Sequence, residues 1–343
     1  MKIKFQFNVS LQKDAEEKKN TVTVNNSSFV DCARKEILNA RERGSFSTAA
    51  NYDTALRSLL TFIKREDIML NEITTEMLES YQKWLLRRNV SLNTVSCYMR
   101  SLRSIYNRAT DSKSRVFSRI FTGCTPTYKR SLCVDDIQRL SALKLSKGSR
   151  LALARDIFLF SFYCQGMPFI DLAFLRKEQV AGGSIVYNRH KTGQMVRIAV
   201  EPCMEQIIQK YSSTNSVYVF PLLESTDMTE AYNEYQKQLS YYNLALKRLG
   251  KRAGFSRPLT SYVARHSWAS IAFQTNVELQ TISRAMGHTN PMTTLIYIKA
   301  LLSGEILPQR KLPRTITLRN ISSEVGLIKY IFNVTSFEED LTN

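Results

Sequence analysis

Residues 260–273 read TSYVARHSWASIAF, and the second half of the chain is organised around them. Ala264, Trp268, Ile271 and Ala272 recur at helical spacing, which predicts a helix with one core-facing side. Thr260 or Ser261 is suited to cap it. Arg265 and His266 then fall in its first turns, where free amides and the helix dipole favour an anion. Downstream, VELQTISRAMG (277–287) predicts a short amphipathic helix stopped by Gly287, with His288 next. Asn290 and Pro291 make a cap and first-turn pair for MTTLIYIKAL (292–301), which carries Tyr297. The sequence has three histidines, His190, His266 and His288, and they sit beside Lys191, Arg265 and Gly287. A lone histidine is most often structural, but three in such company suggest work on an anionic group.

Upstream of that stretch, Leu151 to Cys164 is apolar almost all round, as in a helix buried in a core. Ser184–Tyr187 and Met195–Val200 predict two strands joined by NRHKTGQ (188–194), whose Gly193 supplies a turn. Val134 and Asp135 open a helix near the start of this region. Earlier still, 27–110 shows four helical patterns, including Val30, Ala33, Ile37 and Leu38, then Leu56, Leu59, Leu60 and Phe62, with later helices starting near Thr75 and Asn93. Residues 3–9 alternate as a short strand, within an N-terminal arm of residues 1–26. The expected organisation is therefore an arm (1–26), a helical domain (27–110), a linker rich in Ser, Thr, Gly and Pro (111–130), a second mostly helical domain with a small antiparallel hairpin (131–302), and a C-terminal extension (303–343). The fold class is mainly α, in the α+β sense.

With 48 Lys and Arg against 30 Asp and Glu over 343 residues, the chain carries a formal charge of +18, which favours a polyanionic partner. Between Gln82 and Arg130 there are eleven cations and one acid, Asp111. Such a run is ordinarily a solvated face, but counterion release also makes it a phosphate clamp. Arg87, Arg88, Arg100, Arg103 and Arg108 are the candidate DNA-binding residues in it. The extension has as many cations as acids, so its role is not electrostatic. Six scattered cysteines without CxxC spacing suggest neither a zinc site nor a disulfide framework. No stretch approaches the roughly 18 apolar residues of a membrane span. A soluble, cytoplasmic protein acting on nucleic acid is expected.

The series Arg265-His266, Gly287-His288, then Tyr297 nine residues on, with Lys191 in a β-turn upstream, resembles the catalytic domain of tyrosine recombinases, the phage integrase family. LNTVSCYMRSLRSIYNRA (92–109) is similar to the family's core-binding (SAM-like) helical domain. SYVARHSWAS and FYCQGMPFIDLAFLRK are close to the branch found on conjugative transposons and invertible promoters of gut anaerobes. The resemblance implies a C-shaped clamp on double-stranded DNA. Tyr297 would attack a phosphate to form a 3′-phosphotyrosyl link and free a 5′-hydroxyl. Arg265 would stabilise the transition-state charge, His266 and His288 would assist proton transfer and phosphate contact, and Lys191 would protonate the leaving oxygen. No metal or other cofactor is implied, since guanidinium and imidazole groups supply the charge stabilisation. A homotetramer on DNA is implied, with an accessory DNA-bending protein as a further partner.

The sequence departs from the family pattern at two places. Tyr262 stands where the second box has a histidine, and a phenol can still donate a hydrogen bond. The first box aligns with Gly166-Met167-Pro168-Phe169-Ile170-Asp171-Leu172, which puts Pro168 where an arginine belongs while Asp171 keeps the acidic position. Arg189, Arg257 and Gln165 are the candidate substitutes, with Arg189 favoured because hairpin tips move. Two other readings stand beside the recombinase. One is a catalytically impaired DNA-binding or architectural relative. The other is a helix-turn-helix regulator built on 277–301.

Overall fold

The computed structural model describes residues 27–110, 115–125, 127, 130–212 and 215–295. The arm, Tyr297 and the C-terminal extension lie outside the described residues. Chain contacts divide the protein into two compact units, the first ending at Thr125 and the second starting at Pro126.

Among its described residues the first unit contains four α-helices, α1 (Phe29–Glu42), α2 (Phe46–Ile63), α3 (Thr75–Arg87) and α4 (Leu92–Ala109). Three begin at hydroxyl caps: Ser28, Thr74 and Ser91 accept the amides of Asp31, Met77 and Thr94. Each cap satisfies an amide that the first turn leaves unpaired. Their apolar stripes bury Phe29, Leu59, Leu78, Tyr81, Val95, Met99 and Ile105 completely. Residues 115–125 of the expected linker are packed on these helices. Phe117 and Ile120 are buried, and Gln82 accepts the Phe121 amide at 3.0 Å. Asn93 exchanges two hydrogen bonds with Thr125, at 2.8 and 3.0 Å. Turn-forming residues made this segment read as a spacer, but two apolar side chains are enough to dock it.

The second unit runs α5 (Val134–Ser141), α6 (Arg150–Tyr163), α7 (Phe169–Ala173), β1 (Val180–Ala181), β2 (Ser184–Asn188), β3 (Met195–Ala199), α8 (Pro202–Tyr211), α9 (Met228–Arg252), α10 (Val263–Gln274) and α11 (Leu279–Ala285). The sheet is antiparallel in the order β1-β2-β3, with Ile185 opposite Ile198 and Tyr187 opposite Val196. Those four side chains are buried, and alternation turns their neighbours outward. Helix α6 packs against α5, α8, α9 and α10. This explains why its sequence is apolar on every side.

Buried Asp156 on α6 accepts Arg155 Nε at 2.8 Å, Lys210 Nζ at 2.6 Å and the Tyr211 hydroxyl at 2.7 Å. These bonds hold its carboxyl below the ordinary range against the opposing effect of burial, and they tie α8 to α6.

Among the described residues no helix is long and apolar enough to cross a membrane.

Phe160 is fully buried, with its ring edge-on to Phe220 at 4.9 Å. Phe160→Ala is predicted to destabilise the second unit by about 3–5 kcal/mol, read from denaturant unfolding.

Candidate active site

The expected one-sided helix at 260–273 is instead buried on all sides, from Val263 to Ala272, because α6 and α11 both pack against it. Its cap also differs from expectation. Tyr262, without a side-chain cap bond, occupies the position proposed for Thr260 or Ser261. Arg265 therefore sits at the third helical position with 3% of its surface exposed.

A buried guanidinium must have its donors met. Arg265 Nη1 donates to the Gly166 carbonyl at 2.8 Å, and Nη2 donates to the Met286 carbonyl at 2.6 Å. Nη2 is also 2.9 Å from Nε2 of His288. Since arginine only donates, Nε2 of His288 must accept. The ring proton then lies on Nδ1, which donates to Oγ1 of Thr294 at 2.8 Å. Burial, followed by the charges of Arg265, Arg189 and Lys191, pushes the His288 pKa down to about 4.

Arg189 joins this group from the sheet. It follows β2, and its amide bonds the Gln194 carbonyl at 2.9 Å to close the hairpin. Its side chain is buried rather than mobile. Nε donates to Asp171 at 3.4 Å, and Nη1 donates to the carbonyls of Met286 and Gly287, each at 3.0 Å. Asp171 also accepts the His190 amide at 2.8 Å, so one carboxylate fixes both the arginine and the hairpin backbone. Burial raises the Asp171 carboxyl, while the His190 amide and the Arg189 charge oppose the rise. Lys191 is exposed on the hairpin.

Pro168 is the residue from which α7 starts, with φ −61° and ψ 149°. It places Asp171 one turn into that helix but offers no donor. Ahead of it, Gln165 and Gly166 both have positive φ, at 55° and 74°. This reversal presses Gly166 onto α10, where an added β-carbon would lie 2.7 Å from Cα of Arg265. Gly166 thus contributes its carbonyl to Arg265.

The other candidates are placed differently. His266 is buried, with its ring 6.2 Å from that of Tyr262, which is 57% exposed. Arg257 is exposed between α9 and α10, and Gln165 is half-buried after α6. Asn290 caps the next helical turn as expected, its side chain accepting the Met292 amide at 2.8 Å. That helix carries Thr294, which the sequence reading did not single out. Nor did that reading single out the Met286 carbonyl. A threonine six residues after a histidine has no distinctive spacing, and every residue has a carbonyl.

In the first unit, Arg87 and Arg88 are exposed at the end of α3, with Arg88 over the Trp84 ring at 4.6 Å. Arg100 and Arg103 on α4 bond the Ser96 carbonyl and the Thr122 hydroxyl, each at 3.3 Å. Arg108 is paired with Glu36, which offsets its charge. Among the described residues no group of three His, Cys, Asp or Glu side chains could hold a metal ion.

As pH falls from about 6.5 toward 4, the unfolded chain takes up the His288 proton before the folded one does, so the fold loses stability across that window. His288→Gln is predicted to flatten this acid limb in melting temperature against pH.

Two family models match the chain in order. The phage integrase SAM-like domain covers residues 28–114, and the phage integrase family covers 138–302. Tyrosine recombinase XerC of Rickettsia canadensis (strain McKiel) is 22% identical over 291 residues, covering 79% of this chain and 94% of that protein. A lambda integrase (75–356) dimer bound to a COC' core site shares the fold with a TM-score of 0.59 and 12% identity, covering 85% of this chain and all of that one. A lambda integrase tetramer bound to a Holliday junction matches with a TM-score of 0.58 and 13% identity, over 80% of this chain and 78% of that one. With an SAM-like helical match followed by a catalytic-region match that includes the Arg265 and His288 cluster, the chain belongs to the phage integrase family of tyrosine recombinases.

Proposed function

We propose that this protein is a site-specific recombinase that cuts and rejoins double-stranded DNA through a 3′-phosphotyrosyl intermediate, with Arg189 replacing the arginine absent at Pro168. The observation that carries this reading is the convergence of Arg265 Nη2 and Arg189 Nη1 on the Met286 carbonyl, at 2.6 and 3.0 Å, with His288 bonded to the first of them. Two guanidinium groups fixed side by side suit the non-bridging oxygens of one phosphate, and donors fixed beforehand need no reorganisation as charge develops.

In this reading the hydroxyl oxygen of Tyr297 forms a bond to phosphorus as the bond to the 5′ oxygen breaks, and the phenolic proton passes to His266. Lys191 gives that oxygen its proton, leaving a 5′-hydroxyl. His288, neutral at physiological pH, accepts from Arg265 until the phosphate arrives; it then contacts the phosphate as its other neutral tautomer, with Nε2–H donating and Nδ1 accepting from the Thr294 hydroxyl. His266 and Tyr262 flank the pair on α10. Reversal of the step on a partner strand rejoins the DNA, and integration, excision or inversion follows from where the sites lie. Two duplexes and four protomers are needed, in keeping with the tetrameric fold neighbour. Arg87 and Arg88, with Arg100 and Arg103, hold the DNA backbone. Arg108 contributes less because Glu36 offsets it.

On a nicked duplex the protein is predicted to form a covalent protein–DNA adduct that disappears in Tyr297→Phe. Steeply salt-dependent binding with no adduct would instead mark a catalytically silent relative. Arg189→Ala should slow adduct formation by on the order of a hundredfold or more, the effect of losing one fixed donor. Arg257→Ala should react like the wild type, and full activity in both variants would remove the substitution. Arg88→Ala should lower the slope of log affinity against log salt by about 1.

A further inference from the structure

We infer that Gly287 is a positioning residue for Arg189, a role that rests on the recombinase reading above and assigns the turn before His288 a function in building the site. Gly287 follows α11 with φ 63°. A β-carbon added to it would lie 2.4 Å from Cδ and 3.2 Å from Cγ of Arg189, and 3.1 Å from Cγ2 of Val196. These are mid-chain carbons of a side chain whose head is already fixed. Asp171 holds Nε, and the Met286 and Gly287 carbonyls hold Nη1. Arg189 cannot swing away from a new methyl group without releasing those bonds.

Loop glycines elsewhere in the second unit, such as Gly193 and Gly254, also have positive φ but open space around them. At those positions glycine answers only the backbone. At Gly287 the missing side chain is the space the arginine occupies, and the same residue's carbonyl accepts from it. Gly166 is the counterpart for Arg265, but its closest neighbour is backbone, so it also sets how near α10 can come. Gly287 acts mainly against a side chain, which makes its effect separable by mutation.

The test is a double-mutant cycle on the full chain: wild type, Arg189→Ala, Gly287→Ala and the double variant. Single-turnover cleavage of a nicked duplex is measured at saturating DNA, alongside DNA affinity. Each single variant is expected to cleave on the order of a hundredfold more slowly while binding DNA about as well as the wild type. The double variant is expected to be no slower than Arg189→Ala, because the methyl group has no arginine left to displace. A double variant slowed by the product of the single effects would overturn the inference, as would wild-type cleavage by Gly287→Ala. If Gly287→Ala fails to fold and the double variant folds, collision with Arg189 is the cause and the inference holds. If neither folds, the turn itself demands glycine and the inference falls. Absence of an adduct from the wild type removes the recombinase reading itself, an outcome distinct from a multiplicative cycle in an active enzyme.

Discussion

The backbone carbonyl of Met286 receives two guanidinium groups, and much of the second unit can be understood from what that requires. A carbonyl oxygen has two lone pairs, so it can accept from both Arg265 and Arg189. The arrangement brings two buried cations to one oxygen, Arg265 at 2.6 Å and Arg189 at 3.0 Å, where they repel each other. Asp171 lies against Arg189 and offsets part of this repulsion. His288 cannot add to it, because its pKa is pushed down to about 4. The cluster retains a cationic excess, and an anion satisfies it. Three separate segments meet at this point: the β2–β3 hairpin, α10 and the turn after α11.

Bringing them together depends on backbone that few residues can adopt. The reversal at Gln165 and Gly166 lets the end of α6 reach Arg265 with a carbonyl. Pro168 then starts α7 and delivers Asp171 to the hairpin. This segment does its structural work without a cation: Gly166 holds one arginine, and Asp171 holds the hairpin that carries the other. A proline at 168 costs nothing in hydrogen bonding, since the first residues of a helix have no intrahelical partner for their amides.

Much of this was legible in the sequence. Helical spacing gave the four helices of the first unit, the buried character of α6 and the β2–β3 hairpin. The order of Arg265, His288 and Tyr297, with Lys191 upstream, pointed to the family. Other features depended on contacts between distant segments. Nothing in NRHKTGQ says whether Arg189 faces water or Asp171, eighteen residues before it. The sequence favoured it for mobility, whereas the structure buries and fixes it. Ten buried positions on α10 were read as one apolar stripe, because a pattern that includes Arg265 and His266 looks amphipathic until the partners of the arginine are known. Phe117 and Ile120 were hidden among turn-forming residues. The partners of His288 and Arg265, a threonine hydroxyl and two main-chain carbonyls, have no signature at all.

The most direct measurement of the central claim is an experimental structure of the full chain on its DNA with orthovanadate at the cleavage position, where the pentavalent centre mimics phosphorus under attack. Two equatorial oxygens are predicted within hydrogen-bonding distance of Arg265 and Arg189, one on each guanidinium, with both side chains still anchored on the Met286 carbonyl. A structure in which Arg189 remains turned away from the vanadate, and a different cation takes the second oxygen, would contradict it.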